Sequence, residues 1–323
     1  MKRVQSTHRE RRLGLRSAPD DEPRILVSPR WQRWLPLATI PVALGVAGLL
    51  QASKAALWRW LGRVLLGGAA VGLWGIYEAL VPKLERVTLT LDGLPAAFDG
   101  LRIAHLSDFH LDEHIADRIA ARAIRRVLRE QPDLILFTGD FVTNSVPHAR
   151  LRATIGQLHA PLGVWAVWGN HDYWFDINEL RAALGEFPIT VLENQHVALT
   201  RGAATLYLAG TDDLWEGHTD LDRALAGLPA EAPVILLAHE PDLATAAAQR
   251  GILLQLSGHA HGGHIALPWL GALFLPRYAR QWARDLHRVG PMWLYVNRGL
   301  GGYLFRLGAR AEVTLIELRC FAN

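Results

Sequence analysis

The strongest constraint on the fold is a series of short apolar segments that each end in aspartate, asparagine or histidine. From residue 101 onward these strand-like segments alternate with helix-like ones, which indicates an α/β domain with a partly parallel sheet and enough strands for two sheets. Ligands of such sheets gather outside the carboxyl ends of the strands. We therefore expect one site to be built from the strand endings. These are Asp108-Phe109-His110, Gly139-Asp140, Gly169-Asn170-His171-Asp172, His239-Glu240 and Gly258-His259-Ala260-His261.

The last of these endings carries three histidines within six residues, His259, His261 and His264, with glycines before and among them. On an extended segment, residues two apart face the same side, so His259 and His261 can converge on one ion or on two adjacent ions. A histidine-rich surface turn is the alternative for this segment taken alone. His105 lies inside a predicted strand and is expected to be a hydrogen-bonded core residue. His264 is either a substrate contact or a loop residue.

The chain pattern predicts the following elements. The strands are Arg86–Leu91, Leu101–Ser107, Leu134–Thr138, Val164–Trp168, Val234–Ala238, Leu253–Leu256, Trp293–Val296 and Val313–Leu318, with Ile189–Leu192, Val197–Thr200 and Thr205–Ala209 as a meander of paired strands. The helices are Ile115–Arg129, Ala149–Leu158, Asn178–Leu184, Asp220–Ala226 and Leu243–Gln249.

The N-terminal quarter has a different character. Residues 1–34 carry nine Lys/Arg against four acids and are expected to form a basic disordered arm. Two apolar runs, Leu35–Leu50 and Val64–Leu80, flank a polar break at Gln51–Arg63. We therefore predict a membrane anchor over residues 35–82 and a catalytic domain over residues 83–323.

The favoured interpretation of the two apolar runs is a transmembrane helical hairpin. The basic arm would then keep the N-terminus in the cytoplasm at the bacterial inner membrane. Because a hairpin returns the chain to the same side, the domain would also be cytoplasmic. The alternative is a single crossing or an export signal, which puts the domain on the periplasmic side. Beyond the first 63 residues the charge is close to neutral, so we expect no nucleic-acid partner. The single cysteine, Cys320, excludes an intrachain disulfide and a cysteine-based zinc site.

Together, the five strand endings resemble the motifs of the calcineurin-like metallophosphoesterase superfamily: Asp-x-His, Gly-Asp, Gly-Asn-His-Asp/Glu, a histidine, and Gly-His-x-His. The resemblance covers about residues 101–319 and implies a four-layer αββα sandwich, with two mixed sheets flanked by helices. The chain is most similar to the membrane-anchored bacterial branch, which has Gly-His-Thr-His-Gly-Gly-Gln and, later, an Arg-Gly-Leu-Gly segment. Here Ala260 replaces the threonine and His264 the glutamine, and the later segment is Asn297-Arg298-Gly299-Leu300-Gly301.

The resemblance implies a site for two divalent metal ions. Asp108, His110 and His261 would hold one ion, Asn170, His239 and His259 the other, and Asp140 would bridge them. Mixed nitrogen and oxygen ligands without thiolate suit Mn, Fe or Zn. Two such ions generate a bridging hydroxide for in-line displacement at phosphorus. His171 is expected to protonate the leaving oxygen or to stabilise the phosphorane, with Asp172 orienting its ring.

The segment Ile265–Gly290 mixes large apolar residues with four arginines. It is either a core-covering loop or a lid that dips into the bilayer surface. The second interpretation, joined to the anchor, favours a phosphoester substrate that is a phospholipid or a lipid-linked pyrophosphate, such as the UDP-linked diacylglucosamine cleaved by some family members. The alternatives are a protein or nucleotide phosphatase, and an inactive membrane scaffold. The sequence gives no sign of an obligate protein partner. Arg298 is a candidate for binding phosphate or for an ion pair. Asp212-Asp213 could face the site, but a strand-end turn is the favoured interpretation.

Overall fold

The computed structural model describes residues 54–113 and 115–321. The predicted basic arm at residues 1–34 and the first predicted apolar helix, Leu35–Leu50, lie outside these residues. The described part is one long N-terminal helix followed by an α/β domain.

The N-terminal helix, α1 (Lys54–Leu80), is long and apolar enough to cross a membrane, judged by length and composition. Most of its large side chains are exposed, whereas Gly75, Glu78 and Ala79 are buried against the domain. We expected a polar break up to Arg63, and this is wrong from Lys54 onward because residues 54–63 are helical. No proline interrupts them, and alanine, leucine, lysine and arginine are good helix formers. α1 is one candidate span; the partner helix of the predicted hairpin falls outside the described residues.

Fourteen strands and six further helices follow α1 in the described chain. The strands are β1 (Lys83–Leu91), β2 (Arg102–Leu106), β3 (Leu134–Thr138), β4 (Val164–Val167), β5 (Ile189–Val191), β6 (Gln195–Arg201), β7 (Ala204–Gly210), β8 (Val234–Leu237), β9 (Leu254–Ser257), β10 (Ala266–Leu267), β11 (Gly271–Ala272), β12 (Asp285–Val289), β13 (Met292–Val296) and β14 (Glu312–Cys320). The helices are α2 (Ala116–Arg129), α3 (His148–Ala153), α4 (Asn170–Trp174), α5 (Ile177–Leu184), α6 (Leu221–Leu225) and α7 (Ala244–Ala248).

The strands form two six-stranded mixed sheets and one small hairpin, β10–β11. The first sheet has the order β1-β14-β2-β3-β4-β5 and is parallel except between β14 and β2. The second has the order β12-β13-β9-β8-β7-β6 and is antiparallel only at its two edges. The central strands β3, β8 and β9 are buried at every residue, as expected for parallel strands covered on both faces.

The apolar core lies in three layers. Between the two sheets, residues such as Ile103 and Leu136 of the first sheet pack with Leu208 and Leu256 of the second. Helices α2, α3 and α5 cover the outer face of the first sheet, and α6 and α7 cover that of the second. The prediction of two mixed sheets flanked by helices is confirmed.

The predicted three-stranded meander is wrong. β6 and β7 do form an antiparallel hairpin in the second sheet, but β5 pairs in parallel with β4 at the edge of the first. The alternation of polar and apolar residues identifies a strand without indicating which of two sheets it joins.

Candidate metal centre

The candidate metal centre lies where β2, β3 and β4 of the first sheet and β8 and β9 of the second end. All seven predicted ligand residues follow these strands and are buried. They are Asp108 and His110 after β2, Asp140 after β3, Asn170 after β4, His239 after β8, and His259 and His261 after β9.

Six of the seven side chains form two clusters that share Asp140. In the first, ligand atoms of Asp108, His110, Asp140 and His261 all lie within 4.8 Å of one another. In the second, the same holds for Asp140, His239 and His259. One oxygen of Asp140, Oδ2, lies 3.7 Å from His110 Nε2 and 3.3 Å from His239 Nε2, so a single carboxylate reaches both clusters.

The seventh residue, Asn170, places an acceptor in the same cavity. Its side-chain oxygen is buried and has no hydrogen-bond partner within the described residues, which is costly unless something else occupies it. Asn170 is the first residue of α4. The next residue, His171, donates its backbone N–H to Asp140 Oδ1 at 3.0 Å. An orphaned oxygen beside carboxylates and imidazoles, without thiolate, is a donor set that suits Mn, Fe or Zn.

The backbone is strained at most of the candidate ligands. Left-handed conformations cost a non-glycine residue free energy and persist where the surroundings enforce them, often at functional sites. Backbone hydrogen bonds between the loops enforce them here, among them Asp108 N–H to Gly139 O at 2.9 Å and Gly301 N–H to Asp108 O at 2.7 Å. The left-handed residues are Asp108, His110, Asp140, His259 and His261, with φ between 47° and 68°.

Two glycines allow the loops to approach this closely. A methyl group on Gly169 would overlap the Asp140 carboxylate, and one on Gly258 would overlap Ser107 and Asp108. These two glycines, which precede Asn170 and His259, therefore make room for an acid from another loop.

Burial keeps three imidazoles neutral. It lowers the pKa of His110 to about 3 and that of His259 to about 4, and it lowers the pKa of His261 well below its usual range. Burial would raise the pKa of Asp140, but His239 and His171 outweigh it and hold that pKa below its usual range. Neutral imidazoles and an ionised carboxylate are the protonation states that bind a metal ion.

His239 differs from the other histidines. Burial lowers its pKa, but the attraction of Asp140 outweighs burial and raises the pKa well above its usual range. The Asp140 carboxylate therefore favours the charged form of this imidazole, and metal binding there would compete with that proton.

The prediction that Asp172 orients the His171 ring is wrong. Both oxygens of the buried Asp172 carboxylate accept hydrogen bonds from backbone N–H groups instead. The donors are Gly169, Asp140, Phe141 and Val142, at 2.9, 3.0, 2.8 and 3.3 Å. Asp172 thus ties the loop after β3 to the loop after β4.

Sequence analysis missed one charged residue beside the site. Arg306 is fully buried, and its guanidinium lies 3.3 Å from His261 Nδ1. It also donates to the carbonyls of Arg298, Gly301 and Ala309, at 2.6, 2.6 and 3.3 Å. No local motif marks it, because the three carbonyls lie within eight residues of it in an irregular loop and His261 lies 45 residues away.

The undecided polar residues have clear structural positions. Arg298 makes ion pairs with Glu312 at 3.2 Å and with Asp285, so the structure supports the ion-pair alternative for this residue. His105 is a buried core residue whose Nε2 lies 2.9 Å from Thr138 Oγ1, as predicted. His264 lines the cavity and stacks on His261, with ring centroids 4.7 Å apart.

The cavity above the two clusters has a volume of about 450 Å³. Its mouth is aromatic: Trp174, Phe274 and Tyr303 line it and are 51%, 49% and 74% exposed, and Trp215 lies beside them. Such exposed rings can contact a substrate or a membrane surface.

The segment Ile265–Gly290 is partly a core-covering loop and partly exposed. Tyr278 and Ala279 are buried against the second sheet, and Asp285–Val289 forms its edge strand β12. The hairpin β10–β11 is exposed at its turn, where Trp269 is 94% exposed. The exposed large apolar side chains of the predicted lid are therefore Trp269 of this hairpin and the neighbouring Phe274.

Known proteins share this pattern. Residues 101–263 match the model of the calcineurin-like phosphoesterase family. The uncharacterized metallophosphoesterase YkuE of Bacillus subtilis is 32% identical over 79% of this chain and 92% of its own length. A transmembrane protein with metallophosphoesterase domain from Danio rerio is 33% identical over 78% of this chain, which spans 61% of that relative. The UDP-2,3-diacylglucosamine pyrophosphatase LpxG of Chlamydia trachomatis is 28% identical over 78% of this chain and 94% of its own length.

The fold and the clustered acids and histidines define a phosphoesterase of the metal-dependent class. The chain belongs to the calcineurin-like phosphoesterase family and is a hydrolase that acts on phosphoester bonds.

Proposed function

We propose that this chain hydrolyses a phosphoester or pyrophosphate bond in a lipid or lipid-linked substrate, with two divalent metal ions. The observation that carries the two-metal part is the shared carboxylate, since Asp140 Oδ2 lies within 3.7 Å of a histidine from each cluster. A bridging ligand needs charge to offset the repulsion between two cations, and a carboxylate supplies it.

In this proposal Asp108, His110 and His261 hold one ion, and Asn170, His239 and His259 hold the other. The ions would be Mn, Fe or Zn, given ligands of nitrogen and oxygen without thiolate. When bound, they would lower the pKa of a water molecule and neutralise charge on the phosphoryl oxygens.

Side chains of the protein carry out the remaining steps. Asp140 fixes the backbone of His171 through its second oxygen, at 3.0 Å from the His171 N–H. The His171 imidazole lines the cavity beside the clusters and is the proton donor to the leaving oxygen in our proposal. Asp172 acts at a distance, by holding the two loops that carry Asp140 and His171.

Three observations support a lipid or lipid-linked substrate. The helix α1 has the length and composition of a membrane span and packs on the domain through Gly75 and Glu78. The cavity mouth carries exposed aromatic rings, which favour the interface between lipid and water. The relative LpxG is named for a pyrophosphatase reaction on a diacylated sugar nucleotide. We further propose that the chain lies in the bacterial inner membrane with its domain on the cytoplasmic side.

Asp140→Asn tests the catalytic proposal. Full-length protein loaded with Mn should hydrolyse bis-p-nitrophenyl phosphate, and the substitution should lower the rate at least about a hundredfold because the bridge loses its charge. Asp222→Asn is the control, since that carboxylate is exposed and pairs with Arg250 on the surface. Full activity of the Asp140→Asn protein would refute the proposed site.

A substrate panel tests the lipid part of the proposal. Full-length protein in micelles is given UDP-2,3-diacylglucosamine, a phospholipid, a nucleotide and a phosphopeptide. We expect the highest kcat/KM on a lipid-containing substrate. A preference for the nucleotide or the phosphopeptide would instead support a nucleotide or protein phosphatase.

A further inference from the structure

The imidazole of His171 is not oriented by Asp172, the carboxylate that we expected to orient it. Asp172 is occupied by four backbone N–H groups, and His171 Nδ1 is buried without a hydrogen-bond partner among the described residues. The hydrogen bond from the His171 backbone to Asp140 fixes the main chain and leaves the side-chain torsions free. Something else must therefore define the direction of the ring.

Two aromatic contacts define it. The ring of Trp174 lies over His171, with centroids 4.0 Å apart and planes tilted by 45°. The His171 ring also makes an edge contact with His110, with a centroid distance of 4.8 Å and an interplanar angle of 87°. His171 and Trp174 are three residues apart on α4 and therefore share one face of that helix.

Trp174 is itself held in place. Its indole N–H donates to Glu216 Oε1 at 3.1 Å, and its ring meets the ring of Trp215 edge to face with centroids 6.0 Å apart. The side chain is nevertheless 51% exposed, so core packing does not account for its position. The shorter of its two ring contacts is the one with His171.

We propose that Trp174 is a positioning residue that holds the His171 imidazole toward the leaving-group oxygen, in the place of the carboxylate that usually orients such a ring. This inference rests on the proposed role of His171 as proton donor. A proton donor matters most when the leaving group is a poor one, because a good leaving group departs without protonation. Loss of Trp174 should therefore harm poor substrates selectively.

The test compares bis-p-nitrophenyl phosphate, which has a good leaving group, with diphenyl phosphate, which has a poorer one. For Trp174→Ala in the Mn-loaded full chain, we expect kcat to fall about tenfold to a hundredfold on diphenyl phosphate and less than about threefold on bis-p-nitrophenyl phosphate. Trp174→Phe keeps a ring over His171 and should restore most of the loss. His171→Ala should show the same selectivity, and the double variant should lose no more than His171→Ala alone.

Phe274→Ala is the matched control, because Phe274 lines the same cavity and is 49% exposed but makes no ring contact with His171 or Trp174. Its effect should be of the same size on both substrates. Mn affinity measured by calorimetry should be the same for Trp174→Ala and the unaltered chain, which excludes damage to the ligands.

An equal loss on both substrates, or a change in KM alone, would overturn the positioning role and indicate that Trp174 contacts substrate. A chain that hydrolyses neither ester with Mn would overturn the proposed function together with this inference. Activity that is normal in the unaltered chain, with an unselective loss in Trp174→Ala, would overturn the inference alone.

Discussion

At the scale of single residues, the loop that presents Asp140 depends on the carboxylate of Asp172. We expect Asp172→Asn to lower the free energy of unfolding by about 3 kcal/mol, because the new amide group would face N–H donors that need an acceptor. The measurement is urea unfolding of the metal-free protein in detergent, in which metal ligation contributes nothing.

Asp176→Asn is the matched control for this substitution. Asp176 also accepts two backbone N–H groups, those of Asn178 and Glu179, but it is an exposed helix cap, where asparagine serves as well as aspartate. The cost should stay below about 0.5 kcal/mol. Equal costs for the two substitutions would contradict the structural role of Asp172.

Arg306 gives a second prediction at this scale. Replacing it with methionine leaves three buried carbonyls without their donor, so the free energy of unfolding should fall by about 3 kcal/mol. Arg306→Lys keeps the charge but not the planar fork and should give an intermediate loss. Thermal unfolding measures both, with the exposed Arg125→Met as control. If Arg306→Met lowers the stability no more than Arg125→Met does, the guanidinium of Arg306 does not stabilise the fold.

The sequence suffices to locate the acids and histidines of the candidate site, because all of them follow strand ends. Strand ends can be recognised locally from apolar runs and the glycines after them. The contact of Arg306 with His261 and those of Asp172 with the loop after β3 cannot, because they depend on how separate loops meet. Arg306 lies 45 residues from His261 along the chain, and no periodicity links them.

At the scale of elements, most strands are predictable from alternation and apolar runs, whereas sheet membership is not. β5 looks like the first strand of a hairpin series but closes the edge of the other sheet. β12 is hidden in the sequence by the charged residues Asp285 and Arg288, which an edge strand tolerates and a central strand does not. Helix α1 extends beyond its apolar run because arginine and lysine favour helix too.

The contact between α1 and the domain gives a prediction at the scale of elements. A methyl group on Gly75 would overlap the ring of Phe305, whereas one on Gly68 meets nothing. Gly75→Ala should therefore lower the melting temperature in detergent by a few degrees. Gly68→Ala should leave it unchanged or raise it, because alanine favours helix by about 1 kcal/mol over glycine. An equal response of the two variants would mean that α1 does not rest on Phe305.

At the scale of the whole molecule, α1 and the candidate metal centre are joined by one segment, residues 305–311. On one side, Arg306 N–H donates to Gly75 O at 3.0 Å, and Gly308 N–H donates to Glu78 Oε2 at 2.6 Å. On the other side, the Arg306 guanidinium approaches His261. The last turns of α1 thus belong structurally to the domain, and only the earlier turns are free to enter a bilayer.

This division determines how an anchor deletion should behave. Removal of residues 1–73 leaves the contacts of Gly75 and Glu78 in place, so hydrolysis of bis-p-nitrophenyl phosphate should persist while turnover of a lipid substrate in vesicles falls at least about tenfold, since the anchor no longer concentrates the enzyme at the surface. Removal of residues 1–82 takes those contacts away and should also lower the melting temperature. Rates on both substrates and thermal unfolding distinguish the two effects. Unchanged turnover of the vesicle substrate after removal of residues 1–73 would contradict a membrane substrate, because the catalytic domain would then need no attachment to reach it.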